Sequence, residues 1–105
     1  MEKYEFVLDE RLGIMLPQLE MDWEQYSETE RAQILYEWEQ IRGRIPSRIF
    51  ELERIINEKQ AQLNVEPRFD ISCRLNWEIA DLASCINDLH LWYRANQHTE
   101  AKLHQ

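Results

Sequence analysis

From Ser27 onward the apolar positions recur on alternating three- and four-residue steps. Leu35, Trp38, Ile45, Ile49, Leu52, Ile56 and Leu63 form one series, with Arg42 and Lys59 occupying the intervening seam positions. That spacing is one stripe of a helix. Ser27-Glu28-Thr29-Glu30 supplies its start, because a serine oxygen can accept the N–H three residues on while Glu30 reaches back to the Ser27 N–H. Since the phase carries through Gly43 and Pro46, the pattern predicts a single helix over 28–64. A kink or a short break is expected near 43–46, because the Pro46 ring pushes against the carbonyl four residues back; a break would divide the segment into two helices.

Asn64-Val65-Glu66-Pro67-Arg68 interrupts the pattern, and a second helix is expected over 70–97. Its seam is Leu75, Ile79, Leu82, Ile86, Leu89 and Tyr93, spaced 4, 3, 4, 3, 4. A short connection between two long helices favours an antiparallel hairpin, with Ile45 level with Leu89. The first 26 residues are less regular. Pro17, Leu19, Trp23 and Tyr26 fit a short helix at 17–26. Over 4–16, the alternation of Tyr4, Phe6 and Leu8 with Gly13 fits a small β-hairpin as well as an amphipathic helix. The polar tail 98–105 lacks a seam and is expected to fray. The resulting expectation is one all-α domain over 1–105: a long antiparallel helical hairpin, kinked near Pro46, with a short N-terminal helical or hairpin segment packed on it.

Composition supports helix. The 105 residues include only two glycines and three prolines, and 44% are hydrophobic; a chain of this length closes one core. Charge is uneven. Residues 1–40 hold eleven acids against three bases, whereas 41–105 hold nine of each, so the whole formal charge of −8 lies in the first 40 positions. Phosphate contact needs basic surface, so nucleic acid is not an expected partner and a basic protein is. No apolar run approaches the roughly 18–20 residues of a membrane span, and the opening Met1-Glu2-Lys3-Tyr4-Glu5 lacks the order of a secretion signal. Cys73 and Cys85, twelve positions apart on one helix, stand about 18 Å apart and cannot bridge within a chain. Two free thiols fit the cytoplasm.

Motifs for chemistry are sparse. His90, His98 and His104 lack metal-ligand spacing, and no Cys-x-x-Cys occurs. Glu78-Ile79-Ala80-Asp81-Leu82 resembles half of the metal site of the MazG-like all-α nucleotide pyrophosphohydrolases, in which Glu-x-x-Asp faces Glu-x-x-Glu across magnesium. That resemblance implies a metal-dependent pyrophosphohydrolase using Glu78 and Asp81. The matching Glu-x-x-Glu is missing between residues 17 and 66, and magnesium needs several oxygens. Arg44 and Arg48 offer an anion-sensing alternative if a helix restarts near Pro46; Arg42, on the seam, is expected to reach a carboxylate across the bundle or a dimer.

The main expectation is therefore a non-enzymatic protein-interaction or regulatory subunit, with no catalytic group, metal or cofactor. Trp77 and Leu91 lie off the main seam, Trp92 lies beside it, and Trp38 and Trp23 gather at an aromatic end with Tyr26. These five, Trp77, Leu91, Trp92, Trp23 and Trp38, are the expected interface. Their apolar surface exceeds what a two-helix hairpin can cover, which predicts a coiled-coil-like homodimer or higher oligomer.

Overall fold

The computed structural model describes the backbone of residues 3–103 and side chains through Ala95. Its order is β1 (Tyr4–Asp9), β2 (Ile14–Leu19), a 3-10 turn (Trp23–Gln25), α1 (Glu28–Arg42), α2 (Ile45–Val65) and α3 (Phe69–Leu103). The fold is not all-α, and it is not a long hairpin of two helices. A two-stranded antiparallel sheet occupies the N-terminus, with Tyr4 opposite Leu19 and Asp9 opposite Ile14.

The expected helix at 17–26 is absent because Pro17 to Leu19 complete β2, and Trp23–Gln25 forms only a single 3-10 turn. Local chemistry favours the hairpin over a helix. Tyr4, Phe6 and Val7 are strand-favouring aromatic and β-branched residues, and Asp9 and Gly13 close the turn. Asp9 Oδ1 accepts the Leu12 N–H at 2.9 Å, and Asp9 O accepts the Gly13 N–H at 2.8 Å. Gly13 has φ 76°, a left-handed conformation that costs a side-chain-bearing residue about 1–2 kcal/mol. Pro17, which has no N–H to offer, is tolerated because both strands of a two-stranded sheet are edges.

The hairpin's open end is tied by one phenol. The Tyr26 hydroxyl donates to Lys3 O and accepts the N–H groups of Glu20 (3.1 Å) and Met21 (3.3 Å). Around it Tyr4, Tyr26 and Ile34 form a small buried cluster, flanked by Phe6, Met21 and Trp23.

The expected helix over 28–64 is two helices. Gly43 N–H still bonds Glu39 O, Arg44 N–H makes a tighter bond to Ile41 O, and the next regular bond runs from Arg48 N–H to Arg44 O. Pro46 lacks the donor that would bridge the gap, and in a continuous helix its ring would clash with the carbonyl of residue 42. Consequently the heptad phase does not pass the break. α1 buries Ile34, Trp38 and Ile41 in place of the Leu35–Trp38–Arg42 seam, while α2 buries Ile45, Ile49 and Leu52. The Ser27–Glu30 box forms as read, with Ser27 N–H to Glu30 Oε1 at 2.9 Å and Glu30 N–H to Ser27 Oγ at 3.1 Å. Its backbone bond holds the Glu30 carboxyl below its ordinary range, so its contribution is lost as pH falls through the carboxylate region.

α2 and α3 pack along one another, joined through Glu66-Pro67-Arg68. The main core comprises Leu12, Ile14, Trp38, Ile41, Ile45, Ile49, Leu52, Cys85 and Leu89; Ile45 and Leu89, expected to lie level, share it and are both fully buried. α3 continues past the expected end at Gln97 to Leu103; the side chains of the 98–105 tail lie outside the described residues. The molecule is elongated, 59 × 26 × 19 Å.

Replacing Tyr26 with Phe keeps the ring but removes the acceptor of the Met21 N–H and one of the two donors to Lys3 O, which keeps its bond from the Glu20 N–H at 3.1 Å. Such losses cost about 1–2 kcal/mol, and in a domain of this size each kcal/mol moves Tm by about 4–8 °C. A circular-dichroism melt should show Tyr26→Phe lowered by that amount, with the helical signal at low temperature unchanged.

Candidate interaction surface

Two surfaces carry the functional argument: the groove where the hairpin turn meets the helices, and the outer face of α3. At the first, Leu12 is inserted into the core, and the backbone on either side of its side chain is held from two helices. Arg48 Nε of α2 donates to Leu12 O at 2.9 Å, and Cys85 Sγ of α3 donates to Arg11 O at 3.3 Å. The Arg11 side chain reaches α3 itself, donating to Asp88 Oδ2 at 2.8 Å and Ser84 Oγ at 3.2 Å. A Cβ on Gly13 would stand 2.6 Å from Arg48 Nε, so the glycine serves both the turn and this close approach.

Burial pushes the Cys85 thiol up, against the lowering influence of Arg11 and Arg48. Cys73 is exposed.

The proposed anion site is altered by this arrangement. The helix does restart at Ile45, the condition that reading required, and Arg44, Ser47 and Arg48 line a cleft of about 380 Å³ against the hairpin. Arg48, however, is spent on Leu12 O and on Glu51 Oε1 at 3.2 Å. Of the two arginines, Arg44 is the exposed one. Glu78 is likewise engaged, its Oε2 lying 3.4 Å from Lys59 Nζ of α2, while Asp81 is exposed. Among the described residues no three His, Cys, Asp or Glu side chains gather to hold a metal. Arg42 does not reach across to a carboxylate. Its Nε donates to Tyr93 O at 2.9 Å, its guanidinium lies 4.3 Å over the Tyr93 ring, and its acidic neighbour is Glu39 of its own helix at 3.5 Å.

The five expected interface residues divide. Trp38 is buried and meets half-buried Trp92 edge to face at 5.7 Å, so both serve the core. Trp23 joins the cluster under the hairpin's open end, apart from Trp38, and its indole Nε1 is buried without a hydrogen-bond partner. Trp77 and Leu91 are open to solvent, 70% and 53% exposed.

The sequence reading missed Phe69, 82% exposed on the same helix. Its signal was present: starting at Phe69, steps of four reach Cys73 and Trp77, and 3, 4, 3, 4 then reach Ala80, Ser84, Asn87 and Leu91. All seven are exposed, and none is charged. This is a second seam, on the opposite side of α3 from Leu75, Cys85 and Leu89. A smaller apolar groove, about 270 Å³, lies between exposed Phe50 and His90 on the other flank of α2 and α3.

No protein-family model, curated protein or solved structure matches the chain. Among the described residues, no helix is long and apolar enough to cross a membrane.

Three outcomes check this geometry. Under native conditions one thiol, Cys73, should react rapidly with a disulfide reagent, and Cys85 only on unfolding. Because burial raises the Cys85 pKa in the folded state, the Cys85 contribution to stability should be constant below the ordinary thiol range near about 8.5, and stability should decline as pH rises through it. A Gly13→Ala variant combines left-handed strain with displacement of Arg48 and should lose about 1–3 kcal/mol, measured by urea unfolding.

Proposed function

We propose that this protein is a non-enzymatic interaction module, a self-associating adaptor or regulatory subunit. The observation that carries this reading is the uncharged outer seam of α3, anchored by Phe69, Trp77 and Leu91. A single exposed Leu is ordinary surface. Three large apolar side chains in register on one helix, separated only by small or amide residues, form the kind of patch that binds another protein. Trp77 is its natural hot spot, since large aromatic anchors carry most of the energy in such contacts.

The acidic first 40 residues supply a second docking element, for a basic protein. Glu5, Glu10, Glu20, Glu24, Glu28 and Glu39 are exposed on the hairpin, the connecting segment and α1, so their field extends outward from one part of the molecule. The two free thiols fit a reducing compartment such as the cytoplasm.

Sedimentation velocity across low to high micromolar concentration tests self-association. The expected result is a concentration-dependent dimer or higher oligomer, weakened roughly 30-fold or more by Trp77→Ala, the equivalent of about 2 kcal/mol at a hot spot. Because Trp77 makes little contact within its own chain, the variant's melting should shift by no more than about 0.5 kcal/mol. A monomer at every concentration would overturn the reading.

A further inference from the structure

Given self-association, the side-chain sizes along the outer seam of α3 specify how two copies meet. We propose that α3 pairs with α3 of a second copy in antiparallel orientation about a two-fold axis at Ala80, each Trp77 seated in a hole of small residues on the partner. This rests on the self-association reading and fixes its geometry.

The argument begins with size. A seam residue inserts into a hole bounded by four residues of the facing helix at relative positions 0, 3, 4 and 7. On α3 one such hole is Ala80, Ala83, Ser84 and Asn87. It is the stretch of the seam with no large side chain, and all four residues are exposed. An antiparallel pair centred on Ala80 brings Trp77 of one copy onto that hole in the other, and by symmetry the reverse also holds. The same operation sets Phe69 opposite Leu91 and Cys73 opposite Asn87. Large residues meet small ones in the middle, and apolar residues meet at both ends. Parallel pairing would instead stack Trp77 on Trp77 and Phe69 on Phe69, and leave Ala80 and Ser84 facing their own small counterparts across a void.

Charge agrees with size. Arg11 is pinned beside the hole by Asp88 Oδ2 and Ser84 Oγ, and half its side chain is exposed. A cation fixed there stands beside the seat of the incoming indole, whose face is the aromatic surface that cations favour most. The area is of the order a dimer needs. Phe69, Trp77, Leu91 and the small residues between them offer on the order of 500 Å² per copy. The antiparallel arrangement adds the hairpin turn, which flanks the hole, and so approaches the roughly 800 Å² per partner of a stable interface.

Cysteine placement in the full chain tests the register. In a Cys73→Ser background, Ala80→Cys lies on the axis and should give a covalent dimer as the major species on a non-reducing gel after mild oxidation. Asn87→Cys with native Cys73 retained should also cross-link, and should stop doing so when Cys73→Ser is added. The unmodified protein should not form a Cys73–Cys73 dimer, because those residues would stand about 21 Å apart along the axis. Cross-linking through native Cys73 alone would mean parallel pairing and overturn the proposal. A sedimenting dimer in which neither engineered pair cross-links would overturn this geometry and leave self-association standing. A chain that neither sediments as a dimer nor cross-links would end both.

Discussion

The structure depends on the insertion of Leu12 between the helices. A two-stranded hairpin is marginally stable in water by itself, and here neither strand has a further neighbour. Its permanence comes from the turn, where a buried leucine is flanked by two main-chain carbonyls that must find donors away from water. Arg48 and Cys85 provide them, one from each helix. The hairpin, α2 and α3 are thereby bound at a single locus, and the break at Gly43–Arg44 is what lets Arg48 arrive there from a helix that starts afresh at Ile45.

Around that locus the chain sorts its aromatic residues by task. Tyr26 and Tyr4 seal the open end of the sheet, Trp38 and Trp92 fill the space between α1 and α3, and Arg42 lies over Tyr93 where α1 ends against α3. α3 is therefore asymmetric around its axis. One side is consumed by α2 and the hairpin turn; the other bears Phe69, Trp77 and Leu91, all exposed. The cationic features that first attract notice, Arg42 and Arg48, are structural because each guanidinium satisfies a carbonyl that its fold would otherwise strand.

Much of the helical half was legible in the residues. The Ser27–Glu30 box and the inner seam of α3 are local signals, and periodicity reads local signals well. The strand pair was legible only as one of two options, since six-residue segments carry little periodicity and chain-average composition favoured helix. The break near Pro46 was legible only as the alternative to a kink, because a heptad count passes through any residue, whereas the hydrogen-bond ladder requires a donor at each position. The clamp on the turn was invisible, as Leu12 and Cys85 are distant in sequence and no spacing rule relates them. On the outer surface, Trp77 and Leu91 stood out by type, but Phe69 was missed because it lies next to the predicted boundary at Asp70.

The long reach of the turn's contacts bears on how the chain acquires its shape during synthesis. Arg11 lies 77 positions from Asp88 and 73 from Ser84, so the turn is synthesised well before the helix that seats it. Until the ribosome has released most of α3, the two strands emerge with apolar faces and unpaired edges and no groove to receive them, the condition under which nascent polypeptides stick to one another. The carboxylates concentrated in this early segment give it mutual repulsion throughout that wait, a protective use for acidity that ends once the turn has docked.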